Sequence, residues 1–390
     1  MKKIVHLCLA NFFIDNYSYQ ENILSKYHKL FGHDVSVIAS LATFDKNGNP
    51  ALLDSESEYQ NEYDIPVSRI GYKKKLGKIN RTLRRYRQDV YALLVKKAPD
   101  IIFIHGCQFL DISKVAKYAE KYPLVKIYVD SHSDFSNSAK NWLSKNILHK
   151  IIWCHCAKKI EPYTEKFYGV LPARVDFLKN IYRLPPDKVE LLVMGADDEK
   201  VVNAKDEHVR NEIREQYGIS PDDFLIITGG KIDAYKKQTL LLMDAVKQIN
   251  LPKVKLLVFG SVINELVPEI EKRTDASNIQ YVGWIDAVAS YRYFAASDLA
   301  VFPGRHSVFW EQVVGQGIPM LVKHWDGTAH VDLGGNVQFL HEDSVDEIAD
   351  KLTEICTNPQ IYADMKKVAQ NEGMNTFSYQ KIAERSIDSQ

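Results

Sequence analysis

Short apolar runs rich in Val, Ile and Leu recur along this 390-residue chain, separated by amphipathic stretches. In the first half they fall at residues 4–9, 34–39, 101–104, 125–129, 151–154 and 189–193. In the second half they fall at 225–228, 254–259, 279–282, 299–302, 320–322 and 337–340. Continuous apolar strands alternating with helices indicate parallel sheets covered on both faces. The expected class is therefore α/β, with two Rossmann-like, doubly wound parallel sheets. Between the two sets the chain turns polar, from Gly195-Ala196-Asp197-Asp198 to Ile219-Ser220-Pro221. We place an N-terminal domain at 1–195, a second at 196–375, and a last helix at 376–390 that crosses back to the first.

Composition narrows the class. The length suits two domains of roughly 180–200 residues each. Hydrophobic residues make up 45% and charged residues 26%, which excludes disordered and fibrous chains. Fifty basic residues balance fifty acidic ones, so no whole-protein attraction to nucleic acid follows. The start, MKKIVHLCLANFF, alternates like a strand and lacks a small-residue cleavage site, so it reads as the first strand. No apolar run approaches the ~18–20 residues that span a bilayer. The five cysteines form no C-x2-C pair. With 151–154 read as a strand, Cys154 and Cys156 point one way and His155 the other. Buried, reduced thiols and a cytoplasmic location are expected, with no metal cluster.

Ligands of open α/β sheets bind at the carboxyl ends of the strands, so polar residues just after a strand carry the most weight. After 225–228 come Gly229, Gly230, Lys231 and then Lys236, a glycine turn framed by two cations suited to a diphosphate. After 254–259 come Gly260 and Ser261, and after 279–282 come Gly283, Trp284 and Ile285, where an indole can stack on a base. The segment 297–320 reads as strand, Pro-Gly loop, short helix with Glu311 and Gln312, Gly-Ile-Pro turn and second strand. A helix starting near Ser307 turns free N–H groups toward a ligand above the sheet. In the first half the strand ends supply Asn11, Asp15, His105, Asp130, His132 and Asp134. A satisfied loop histidine is the bland reading of His132; a site residue is the sharper one. Lys73, Lys74, Lys75, Lys78, Arg81, Arg84, Arg85 and Arg87 run without an acid between them. This is either a solvated face or a peripheral contact with anionic lipid; no nucleic-acid motif accompanies it.

Taken in order, GGK at 229–231 with Lys236, VFGS at 258–261, YVGW at 281–284, AASDLAVFPG at 295–304 and GQGIP at 315–319 resemble the donor domain of GT-B glycosyltransferases, specifically retaining family 4. The passage 182–201 and the second-strand segment 31–40 are similar to the same family. The resemblance implies transfer of a sugar from a UDP- or GDP-linked donor to a hydroxyl of a glycan or lipid-linked acceptor, with retained configuration and no metal or other cofactor. It implies Lys231 and Lys236 at the donor diphosphate and His132 near the donor sugar, these three being the catalytic candidates. Gly229, Gly230, Gly260, Ser261, Trp284, Ile285, His306, Ser307, Val308, Glu311 and Gln312 become donor-binding candidates. Asn11, Asp15, His105, Asp130 and Asp134 become acceptor-binding candidates. The chain departs from the family in one place. The family has two glutamates eight positions apart before the Gly-x-Pro turn; here the second position falls on Gln312 or Glu311, and the first on Gly304 or Pro303. Two further readings stay open: a nucleotide-sugar 2-epimerase, and a non-catalytic GT-B-like partner of another transferase.

Overall fold

A computed structural model describes every residue except 46–48, 140, 235–236, 276 and 389–390. The chain divides into two compact units, Met1–Val193 with Ile382–Gln390, and Met194–Lys381. The first unit carries β1 (Lys3–Cys8), β2 (Asp34–Ser40), β3 (Ala42–Phe44), β4 (Pro50–Leu52), β5 (Ser57–Gln60), β6 (Pro66–Ile70), β7 (Ile101–His105), β8 (Lys126–Ser131), β9 (Thr164–Gly169) and β10 (Val189–Leu191). Eight of these form one sheet in the order β10-β9-β8-β7-β1-β2-β6-β5; β3 and β4 form a separate ribbon. All pairs in the large sheet are parallel except β5 with β6. The second unit carries β11 (Phe224–Gly229), β12 (Val254–Phe259), β13 (Ile279–Gly283), β14 (Leu299–Phe302), β15 (Met320–Lys323) and β16 (Val337–Leu340), an all-parallel sheet ordered β13-β12-β11-β14-β15-β16.

Each sheet has its own core, because strands covered by helices on both faces bury every side chain. Ile101, Ile102, Phe103, Ile104 and His105 are all buried in β7, as are Leu299, Ala300, Val301 and Phe302 in β14. Strand order reverses between β1 and β7 in the first unit and between β11 and β14 in the second. At such a switch point the flanking loops diverge to opposite faces and leave a crevice at the carboxyl edge.

One strand expected from the sequence is a helix. Residues 151–154 lie in continuous helical turns, Ser144–Trp153 followed by Cys154–Ile160. A four-residue apolar run cannot distinguish the two periods, but the wider pattern does. His149, Trp153, Cys156, Ala157 and Ile160 are buried at helical spacing. Cys154 and Cys156 therefore do not share a face as strand alternation required. The sheet position is filled by β9, whose polar opening Thr-Glu-Lys hides it in the sequence.

The carboxyl ends of β11, β12 and β13 are stitched through backbone. Gly230 N–H donates to Phe259 O (3.2 Å), Gly260 N–H to Gly283 O (2.7 Å) and Ile232 N–H to Ser261 O (2.8 Å). Gly260 sits at φ +123°, and a Cβ there would lie 1.9 Å from the Gly230 carbonyl oxygen. Gly334, at φ +100° with open space around it, feels only the backbone penalty. Gly260→Ala should therefore destabilise the protein by about 3 kcal/mol or more, the sum of left-handed strain and overpacking, and Gly334→Ala by about 1 kcal/mol. Denaturant unfolding of both variants checks this; equal losses would show that the seam carries no such constraint.

Candidate functional site

In the second unit, the switch point between β11 and β14 holds a pocket lined by Thr228, Gly229, Gly230, Lys231, Thr239, Pro303, Gly304, Arg305 and Ser307, with Phe302 at its base. Two cationic side chains, Lys231 and Arg305, flank glycine backbone and hydroxyl groups here. That composition suits an anion with several acceptor oxygens. Lys236 and Tyr235 lie outside the described residues, so the second loop lysine is not placed. Gly260 is buried in the seam described above, and Ser261 beside it is exposed. Trp284 is 73% exposed, so its indole is open at the end of β13, with Ile285 half-buried behind it.

The loop after β14 folds back through His306. The helix starts at Phe309, with Val308 as its cap residue, and the Ser307 hydroxyl accepts from Phe309 N–H at 3.2 Å. It is the short helix expected from the sequence, beginning at Phe309 rather than near Ser307. Glu311 and Gln312, ambiguous in sequence, face different partners. His306 Nε2 and His330 Nε2 donate to Glu311 Oε1 at 2.8 and 2.9 Å. Burial alone pushes the Glu311 carboxyl up, but the two imidazoles outweigh it and hold it well below the usual carboxylate range. Gln312 instead donates to Ser290 Oγ at 3.0 Å. The ligand atoms of His306, Glu311 and His330 lie within 4.8 Å of one another, the one such grouping among the described residues. Sequence spacing gave no sign of it, because His330 comes from a separate 3-10 turn. Arg305 and the hydroxyls of Thr228 and Thr239 join the pocket without being marked as candidates by the sequence motifs. Arg305 was visible by the strand-end rule, as a cation in a loop that follows a strand.

In the first unit, Asn11 Nδ2 donates to Glu21 Oε1 (3.3 Å), and Asp15 accepts from Tyr59 OH (2.7 Å). Asp134 organises the turn after β8, accepting from Ser136 N–H (2.7 Å), Asn137 N–H (3.1 Å) and Arg174 Nε (3.1 Å). His105 and Asp130 are wholly buried, so neither presents an atom to a ligand directly. They belong to a file of side chains crossing the core. His28 Nδ1 meets His6 Nε2 at 3.0 Å, His6 Nδ1 meets His105 Nε2 at 2.9 Å, and His105 Nδ1 meets Asp130 Oδ2 at 2.7 Å. His132 Nε2 lies 3.6 Å from the same carboxylate oxygen, with its side chain 22% exposed at the end of β8. Burial lowers His28 to about 3 and His6 well below its ordinary value. Burial alone also lowers His132, but the Asp130 carboxylate, with Glu21 behind it, holds it above its ordinary value.

The glycosyl transferases group 1 family model matches residues 209–372. No curated protein sequence matches the chain. Among solved structures, HepE of Anabaena in complex with UDP superposes with a TM-score of 0.68 at 16% identity, covering 99% of this chain and 98% of HepE. A glycosyltransferase from Rickettsia africae ESF-5 gives 0.68 at 14% identity, covering 99% and 97%. WaaG, a glycosyltransferase involved in lipopolysaccharide biosynthesis, gives 0.65 at 13% identity, covering 98% of each chain. These likenesses establish the GT-B fold.

His6 and His28 make the first unit acid-sensitive. Their folded-state pKa is depressed, so their stabilisation is complete above the unfolded value near 6.5 and is lost as pH falls toward 3. Each such histidine adds a slope of up to about 1.4 kcal/mol per pH unit in that window. His149, lowered to about 4 by burial, adds to it. His132, shifted upward, contributes no slope below 6.5; its stabilisation is lost as pH rises through its folded value. Unfolding free energy measured between pH 7 and 5 should fall steeply, and a flat profile would contradict neutral burial of these rings.

Proposed function

We propose, from the match of residues 209–372 to the glycosyl transferases group 1 family model, that the chain is a glycosyltransferase that moves a sugar from a UDP- or GDP-linked donor to a hydroxyl of a glycan or lipid-linked acceptor. The observation that carries the reading is the pocket at the β11–β14 switch point, where Lys231 and Arg305 flank glycine backbone. HepE, of the same fold, was crystallised with UDP and with UDP-glucose, which supports a nucleotide sugar as the ligand.

In this reading the acceptor oxygen bonds to the anomeric carbon as the bond from that carbon to the diphosphate breaks. The leaving phosphate oxygen takes the acceptor proton, on the same face, so configuration is retained. Lys231, Arg305 and the second loop lysine, Lys236, neutralise charge that builds on the diphosphate, and such preorganised electrostatics lower the barrier without a divalent ion. Gly260, Ser261, Trp284 and Ile285 accommodate the base, Gln312 the ribose, and His306, Ser307 and Val308 the sugar and phosphate. His132 acts beside the donor sugar. Asn11 and Asp15 serve the acceptor. A role in surface polysaccharide or glycoconjugate synthesis belongs to the same proposal.

Among the described residues no helix is long and apolar enough to cross a membrane. The basic segment has two of its cations engaged: Arg84 donates to Gln108 O and Arg87 pairs with Glu56. Leu76 and Ile79 stand 66% and 55% exposed among the remaining lysines and arginines. This mixture supports peripheral contact with an anionic cytoplasmic leaflet, at about 1 kcal/mol per basic residue near the surface. Vesicles containing phosphatidylserine should retain the protein, and Leu76→Ser with Ile79→Ser should release it; equal retention of both proteins would refute the contact.

Nucleotide release from a panel of UDP and GDP sugars, in chelator, tests the activity. Acceptor-dependent release is expected, and Lys231→Ala and Arg305→Ala should each lower it by roughly 10- to 100-fold, the worth of one charged hydrogen bond. Interconversion without acceptor would mean an epimerase. No nucleotide binding would mean a non-catalytic partner.

A further inference from the structure

The histidine file in the first unit has two ends. At one, His28 Nε2 lies 3.0 Å from Ser386 Oγ and 3.1 Å from the Ala383 carbonyl oxygen. At the other, His105 Nδ1 lies 2.7 Å from Asp130 Oδ2. Both His28 and His105 are fully buried, and His6 between them stacks on Phe103 with ring centroids 5.5 Å apart. Each of these contacts needs one hydrogen between its two atoms, so the protons can be counted.

A carboxylate only accepts, so His105 Nδ1 carries a hydrogen and its Nε2 accepts from His6 Nδ1–H. His6 Nε2 then accepts from His28 Nδ1–H, which leaves His28 Nε2 as an acceptor. Ser386 Oγ–H is the one donor within reach. Three neutral imidazoles thus form a one-way chain from Ser386 through His28, His6 and His105 to Asp130. The alternative turns the Ser386 hydroxyl to Ala383 O, a contact available at 2.8 Å. His28 Nε2 must then donate, and four hydrogens fall on three rings, so one ring becomes a cation in the core. Burying a cation costs more than the lone-pair contact that the neutral chain leaves between His28 Nε2 and the Ala383 oxygen at 3.1 Å. The depressed proton affinities of His6 and His28 agree with the neutral chain.

We propose that His28, His6 and His105, oriented by Ser386, are positioning residues that hold Asp130 as an anion and thereby keep His132 protonated at the end of β8. A neutral Nδ1–H donor stabilises the carboxylate without discharging it, whereas a cationic chain would share its proton with Asp130 and release His132. The other charged groups around His132 are Glu21 on the helix Gln20–Leu30, which favours the cation, and Arg174 on the helix Pro172–Asn180, which opposes it. His33 faces His28, and Arg69 with Cys8 lies on the β1–β6 side of Asp130. A cationic imidazole at that strand end is a partner for an anionic ligand group. This extends the reading of His132 as a donor-side residue and rests on it. Ser386 lies in the last helix, Tyr379–Ile387, so docking of the chain's C-terminal end on the first unit sets the direction of the relay.

Nitrogen-15 NMR of histidine rings in the full-length protein tests the relay without turnover, so its failure is seen apart from any failure of the transferase reading. At pH 7, His6, His28 and His105 should be neutral Nδ1–H tautomers, the minor form in water, and His132 should titrate above the ordinary value near 6.5. An Nε2–H tautomer or an imidazolium among the three would overturn the proposal. Asp130→Asn keeps an acceptor for His105, so the three tautomers should persist while the His132 midpoint falls by one pH unit or more, a tenfold loss of proton affinity. An unmoved His132 would overturn it. Ser386→Ala removes the terminal donor and should place a hydrogen on His28 Nε2 toward the Ala383 oxygen, turning one of the three rings into an imidazolium, with Ser386→Thr restoring the neutral Nδ1–H chain. A His28 that ignores both changes would refute the direction assigned to the chain.

Discussion

The second unit depends on how closely the backbones after β11 and β12 approach each other. The Gly230 carbonyl oxygen occupies space that any side chain on residue 260 would need, 1.9 Å from an ideal Cβ. Gly229 is constrained similarly, since a Cβ there would lie 2.1 Å from the Phe259 ring. With these positions bare, the three strand-end loops share backbone hydrogen bonds along one edge of the sheet. Lys231 and Arg305 then reach that edge from opposite sides of the switch point. The proposed phosphate site needs donors and positive charge held in advance of the ligand, and the seam fixes the backbone on which it is built.

Each unit buries a carboxylate, Asp130 in the first and Glu311 in the second, and pairs one of its two oxygens with imidazole. Glu311 accepts from two rings that come from different loops, which ties the β14 loop to the 3-10 turn Ala329–Val331. Asp130 accepts from His105, the end of a file that reaches the last helix. Paired in this way, each carboxylate stays ionised despite burial. Removing either partner would leave an uncompensated charge, which is costly in a low-dielectric interior.

The sequence made the parallel sheets legible because strands buried on both faces are uninterrupted apolar runs, as in β11, β14 and β15, while the edge strands β13 and β16 each carry a glutamine. It failed at 151–154, where four apolar residues fit a helix equally well, and at β9, where Thr164, Glu165 and Lys166 disguise a strand. Gly229, Gly230 and Gly260 stood out at strand ends, but the reason, backbone against backbone, depends on loops far apart in sequence. His105, Asp130 and His132 were picked as strand-end residues. Their link to His6, His28 and Ser386 was not legible, because helix and strand contacts across 99 and 358 positions leave no local pattern. The Glu311–Gln312 ambiguity likewise needed the helix placed before their partners could be seen.

The central claim is that the β11–β14 switch point binds the diphosphate of a nucleotide sugar. A crystal structure of the protein soaked with UDP, and in parallel with GDP, tests it most directly. The account predicts diphosphate density against the Gly229–Lys231 backbone, within hydrogen-bond distance of Lys231 and Arg305 side chains. Density elsewhere in the chain, with that pocket left to solvent, would contradict it.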